Sequence, residues 1–166
     1  GTDNRVRSDV GEQYDSLTKA GFSSIVGIRD VFPDFSFSQI AKLRAGLNFQ
    51  LKTEPIRVQF VLGVMEAESW FLAEHSHFPR LHPSITVERI VTHLGFNAST
   101  DDLQLRPNPA ADLDSAYQLE GFRYQKTRNQ VQRTVDLLDY AMLYLQTKSK
   151  FPDLDQFVAT IDGFLN

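Results

Sequence analysis

Apolar residues along this chain change period several times, and each change marks an element. Val6, Val10, Tyr14 and Leu17 recur at helical spacing, so the pattern predicts a helix from about Arg5 to Ala20, stopped by Gly21. Residues 22–31 then read as a strand with Ile25, Val26 and Ile28 at its core; it ends in Arg29-Asp30, and Pro33 bars further pairing. A second helix, capped by Ser36 or Ser38 and running to about Lys52, places Ile40, Leu43, Leu47 and Leu51 on one face. Residues 56–65 form a nearly unbroken apolar run rich in β-branched and aromatic residues, which reads as a strand buried on both faces. Strand, helix and strand at this spacing make a βαβ unit, with Asp30 and Glu66 leaving the same edge of the sheet.

The C-terminal third reads as helical. Thr127-x-x-Gln130 is a capping box, followed by one long seam of Val131, Val135, Leu138, Met142 and Leu145. Asp153-x-x-Gln156 caps a last helix with Leu154, Phe157, Val158, Ile161, Phe164 and Leu165 on one face, and the two helices suggest an antiparallel hairpin. Between strands and hairpin, Val87, Ile90, Val91 and Leu94 mark a short helix capped by Ser84 or Thr86 and stopped by Gly95. Residues 96–112 read as an exposed loop or lid, and Leu113, Ala116 and Tyr117 as one short helix. The expectation is one α/β domain over 1–166: a helical arm (1–21), a sheet core with its crossover helix (22–95), a loop region (96–126) and C-terminal helices (127–166).

Bulk numbers narrow the function classes. At 166 residues the chain can build a real core. Its net charge of -4 excludes a generic basic nucleic-acid glue, so any nucleic-acid contact must be local or metal-mediated. With no cysteine there is no disulfide, thiolate metal site or cysteine nucleophile, which fits a cytoplasmic setting. No apolar run is long enough to span a bilayer, so no membrane role is expected. There is no phosphate-binding glycine loop, dinucleotide fingerprint or nucleophile elbow.

Glu66 and Glu68 carry the candidate chemistry. If the chain is extended there, residues two apart face the same side and the two carboxylates can share a cation. If a helix has begun, they diverge, and the alternative is that both are first-turn acids favoured by the helix dipole. Asp30 reads equally as a third strand-end carboxylate or as a loop aspartate. Trp70, Phe71 and Leu72 are expected to anchor the next helix to the sheet. Residues 74–83 hold His75, His77 and His82 among two prolines and read as solvated loop histidines; His93 reads as structural. Arg123, Lys126 and Arg128 either decorate a helix entry or reach a phosphate held by a metal.

The run from Glu66 to Glu74, Glu-Ala-Glu-Ser-Trp-Phe-Leu-Ala-Glu, resembles the Glu-x-Glu-(Ala/Ser)-Trp-(Leu/Phe)-Leu-Ala-(Asp/Glu) signature of a bacterial family of unknown function in the TOPRIM-like group. Genes of that family often lie beside AAA-type ATPase genes in mobile or defence loci. Pro109, Tyr124-x-Lys126 and Phe151-Pro152 are similar to the family's tail, so the likeness covers roughly residues 22–165. It implies a TOPRIM-like, mostly parallel sheet with flanking helices. It also departs from TOPRIM domains in two places. Their glutamate after a first strand has no counterpart here, so the N-terminal arm is expected to be truncated or to have lost that strand. Their later Asp-x-Asp reads Asp30-Val31-Phe32, with Asp34 as a substitute.

Two functions follow. In one, Asp30, Glu66 and Glu68 are the catalytic, metal-binding set for Mg2+ or Mn2+, with Lys126 or Arg128 holding phosphate, in a nuclease-like phosphoryl-transfer protein of a bacterial phage-defence or mobile-element system. In the other, the chain is a non-catalytic partner of an AAA-type ATPase, and the carboxylates cap helices or pair with Arg29 and Lys126.

Overall fold

A computed structural model describes residues 5–31, 35, 37–49, 52–63 and 66–165. Pro33, Asp34, Ser36, Leu51 and Met65, to which the sequence assigns roles, lie outside them. The fold is mixed α/β and mostly helical. It divides into two compact units, 1–64 with 155–166, and 65–154. The boundary therefore falls within the apolar-to-acidic stretch that contains Glu66.

The first unit contains α1 (Arg5–Lys19), β1 (Ser24–Asp30), α2 (Ile40–Asn48) and β2 (Arg57–Gly63). The strands pair in parallel, Ser24 opposite Arg57 through Asp30 opposite Gly63, as the βαβ pattern requires. Among the described residues these two strands are the whole sheet, smaller than the family resemblance implies.

One face of the sheet carries the core. Val58, Phe60 and Leu62 of β2 cluster with Val10 and Tyr14 of α1 and Leu43 and Leu47 of α2. Residues alternate across a strand, so Val26 and Ile28 of β1 occupy the other face, where Ile28 is 48% exposed. The expectation of burial on both faces thus holds for β2, whose Val61 is fully covered; of the residues expected at the core of β1, Ile28 is exposed.

At Gly27 the strands and α1 are closely packed. A Cβ there would sit 2.5 Å from the Phe60 ring and 3.1 Å from Cγ1 of Val6. Tyr14 fixes α1 to the entry of β2: its hydroxyl donates to the Ile56 carbonyl at 3.2 Å and accepts from the Ile56 amide at 3.0 Å. α1 stops where expected, with Gly21 at a φ of 84° in the left-handed region that glycine adopts most readily. α2 ends at Asn48 instead of Lys52, and Gln39 in a preceding 3-10 turn, without a capping hydrogen bond, replaces the expected serine cap.

The regular elements of the second unit are, among its described residues, all helical, chiefly α3 (Glu68–Ala73), α4 (His77–Leu81), α5 (Val87–Leu94), α6 (Pro109–Gln118), α7 (Arg128–Leu137) and α8 (Tyr140–Leu145). The last helix, α9 (Pro152–Leu165), begins in this unit and continues into the first. α5 follows its sequence signals closely: Thr86 accepts from the Arg89 amide, and Gly95 closes the helix. α6 starts earlier than the apolar pattern suggests. Asn108 caps it by accepting from the Ala111 amide, and Pro109 takes the first helical position, where its missing N–H costs nothing.

The expected seam from 131 to 145 is two helices, because Leu138 and Asp139 are extended. Asp139 caps α8 by accepting from the Met142 amide at 3.0 Å. Arg80 holds the break from across the unit, donating to Asp139 at 2.8 Å and to the Leu137 carbonyl at 3.0 Å. Neither bond of the expected capping box forms at α7. Thr127 is in cap position without a capping bond, and Gln130 accepts instead from the Gln125 amide at 2.6 Å. No helix among the described residues is long and apolar enough to cross a membrane.

Candidate functional site

Glu66 and Glu68 enter the second unit through a turn and not through a strand. Ala67 has helical dihedrals, and both the amide and the hydroxyl of Ser69 donate to the Glu66 carbonyl at 2.9 Å. Glu68 opens α3. The same-side argument for an extended chain therefore does not apply, yet the two carboxylates do meet. Glu66 Oε1 lies 2.7 Å and Glu68 Oε2 3.3 Å from one atom, the Lys126 ammonium nitrogen.

Each carboxylate has its second oxygen held by a neutral donor. Glu66 Oε2 accepts from the Ala110 amide in the first turn of α6 at 3.2 Å, where the helix dipole favours a negative charge. Glu68 Oε1 accepts from the Tyr124 hydroxyl at 2.7 Å. Burial, and then the hydrogen bond to and charge of Glu68, push the Tyr124 hydroxyl far above the ordinary tyrosine value, so it remains a donor.

The segment that delivers Tyr124 and Lys126 is pinned by its backbone. The Tyr124 amide donates to Asp114 of α6 at 2.6 Å, and Arg123 pairs with the same carboxylate. Lys126 itself has a φ of 55°. A non-glycine residue in that region costs about 1–2 kcal/mol and persists only where its surroundings over-determine it. Burial would lower the Lys126 ammonium. The hydrogen bond to Glu66 and the charges of both carboxylates outweigh it and raise its pKa. Side-chain exposure runs from 8% at Glu68 through 21% at Glu66 to 47% at Lys126, so the ion pair is open to solvent on the lysine side.

Among the other candidates, Arg128 is the exposed first residue of α7, and among the described residues Lys126 rather than Arg128 pairs with the carboxylates. Asp30 closes β1 in the first unit, opposite Gly63 in register, with an exposed side chain. Leu72 and Ala73 anchor α3, while Trp70 and Phe71 are only half-buried.

The histidine segment is a solvated loop only in part: His75 and His82 lie outside α4 and are partly exposed, whereas His77 is not. His77 is fully buried in α4. Its Nδ1 lies 2.6 Å from the Glu74 carbonyl, which can only accept, so the proton is on Nδ1. The same nitrogen is 3.6 Å from Oε2 of Glu74, also fully buried. Glu74 Oε1 accepts from both the amide and the hydroxyl of Ser76. Burial alone would raise the Glu74 carboxyl, but the proximity of His77, the Ser76 donors and the Asp139 amide together hold it below its ordinary value. The Tyr117 ring lies edge-on to His77, and its hydroxyl is 3.0 Å from Thr134 Oγ1. Burial pushes that hydroxyl up to about 12. Sequence reading missed this interior because Pro79 and Pro83 make the segment look like a loop. Its one available sign was Glu74 three residues before His77, one helical turn away.

Among the described residues no three His, Cys, Asp or Glu side chains are grouped to hold a metal ion. The pair Glu66 and Glu68 supplies two hard oxygen ligands. This fits a magnesium-type ion, which is bound through one or two carboxylates together with waters and substrate phosphates. The neutral donors on the outer oxygens are the kind of support that orients such ligands. Compared with known proteins, the chain matches no family model, no curated protein and no solved structure.

Proposed function

We propose that the chain is a divalent-metal-dependent phosphoryl-transfer protein with a TOPRIM-like fold, acting as a nuclease in a bacterial defence or mobile-element system. One observation carries the proposal. Glu66 and Glu68 each turn one oxygen onto a single shared cation position, while a neutral donor holds the other oxygen. In this reading the pair holds Mg2+ or Mn2+, which when bound neutralises phosphodiester charge and activates water. Tyr124 and the α6 N-terminus keep the two carboxylates oriented. Lys126 and the exposed Arg128 lie on the segment that meets an anionic substrate. The proposal stands on residues of the second unit and does not draw on Asp30.

The test is cleavage of DNA and of RNA with Mg2+ or Mn2+. Loss of one such charged stabiliser lowers the rate about 100-fold or more, so Glu66→Gln and Glu68→Gln are both expected to fall that far. Equal rates in wild type and both variants would overturn the reading. The ion pairs of Lys126 support a second reading, in which the lysine is the permanent partner of both carboxylates and the chain is a non-catalytic partner of an AAA-type ATPase. Calorimetric titration with Mn2+ separates them: heat that disappears in Glu66→Gln favours the metal site, and no heat in either protein favours the partner.

A further inference from the structure

Lys126 combines a constrained backbone with a side chain open to solvent. Neighbouring amides at Tyr124 and Gln125 are tied to Asp114 and Gln130, each at 2.6 Å, so the backbone around it is fixed. Its side chain leaves this anchored left-handed position, reaches both carboxylates and is 47% exposed. The carboxylates are held from the other side, by Ala110 and Tyr124. The lysine side chain is therefore the one member of the cluster that can leave without breaking the support of the others.

We propose that Lys126 is a displaceable internal counter-ion, which fills the cation position between Glu66 and Glu68 until a divalent cation takes both carboxylates and then swings out. This rests on the metal reading above. Charge requires exchange and not addition. Two carboxylates with one ammonium leave a net charge of about −1, and with a dication about zero. An ammonium and a dication together at contact distance would repel each other and exceed the charge of the pair. Once released, the ammonium is a free donor beside the bound cation, suited to a phosphate oxygen of the same ligand. Lys126 therefore suppresses cation binding in the resting protein and links it to arrival of an anion.

The experiment is titration of the whole chain with Mn2+ alone, followed by the paramagnetic resonance signal of the free ion. Lys126→Met removes the competing charge and is expected to bind Mn2+ about tenfold more tightly than wild type, within the usual range for coupled sites. Lys126→Arg keeps the charge and is expected to stay within about twofold of wild type. Lys126→Gly serves the same purpose as Lys126→Met with a backbone suited to a φ of 55°, so misfolding of one variant leaves the other. Equal affinity in wild type, Lys126→Met and Lys126→Gly, with binding lost in Glu66→Gln, overturns the exchange and leaves the metal site standing. No binding in any of the proteins overturns the metal reading and the exchange with it.

Discussion

The two units bury different chemistry. The core cluster of the first is Val10, Val31, Leu43, Leu47, Ile56, Val58, Phe60 and Leu62 with one hydroxyl, that of Tyr14, whose hydrogen bonds both go to Ile56. The second buries Glu68, Ser69, Glu74, His77, Thr134, Thr147 and Asp153, which are all the buried polar or charged side chains among the described residues. An apolar core is specified by period and volume, and tolerates swaps that preserve both. A polar interior is specified partner by partner, since a buried charge left alone is costly. The buried polar and charged side chains of the described residues thus lie in the helical unit, although the sheet is what gives the chain its α/β appearance.

The largest effect should come from breaking the buried polar pair. His77→Ala removes a fully buried ring and the neighbour of Glu74 Oε2 that can carry a positive charge, leaving Glu74 its donors at Ser76 and the Asp139 amide. Deleting a fully buried ring of this size costs about 3–5 kcal/mol, which urea unfolding should register as a lower midpoint at an unchanged slope. A loss below about 1 kcal/mol would mean that the second unit does not depend on this pairing and that the contrast with the first is superficial.

The corresponding weak point of the first unit is steric. Gly27→Ala places a methyl 2.5 Å from the buried Phe60 ring, and overpacking of this kind costs about 1–3 kcal/mol. Adding Phe60→Leu should return part of that loss. An unchanged melting temperature in Gly27→Ala alone would show that the strands and α1 are less closely packed than the structure has them.

These sites differ in how far they were visible beforehand. The spacing of Val6, Val10, Tyr14 and Leu17, the Thr86 cap and the stop at Gly95 are local signals, and α1 and α5 follow them. The break between α7 and α8 is decided by Arg80, 59 residues from Asp139. The meeting of Glu66 with Lys126 spans 60 residues, and that of Glu68 with Tyr124 spans 56. Periodicity carries no information at those separations. Glu-x-Glu was legible as a pair, but its convergence comes from a lysine delivered by a distant segment and not from an extended chain. The loop expectation fails at His77 for a related reason. Proline is tolerated in the first turn of a helix, so Pro79 sits inside α4 without breaking it.

A smaller effect distinguishes the units by pH. The folded Glu74 carboxyl is held below its ordinary value of 4.5. As pH falls the unfolded chain takes up this proton first, so the stabilisation is complete above about 4.5 and is lost as pH drops through the lower folded value. Glu74→Gln removes the titrating group. The stability difference between wild type and Glu74→Gln should therefore be greatest at neutral pH and narrow on acidification below 4.5. A difference that stays constant across that window would show that the Glu74 charge contributes nothing and only its shape matters.

The smallest effect is expected where an ion pair lies on the surface. Lys52 pairs with Asp15 at 2.9 Å, but their side chains are 61% and 77% exposed. The Lys52 nitrogen also lies 4.7 Å from the centre of the Tyr14 ring, and its aliphatic stem can keep that packing when the charge is removed. Exposed pairs gain little and are screened by salt, whereas a pair that includes a buried carboxylate is screened much less. Lys52→Met should thus change the melting temperature slightly at low ionic strength and not at all in concentrated salt. Lys126→Met, which uncovers the buried Glu68, should lower it under both conditions. If salt abolishes both differences alike, Glu68 is better solvated than its position implies, and the two lysines do the same ordinary work on two different surfaces.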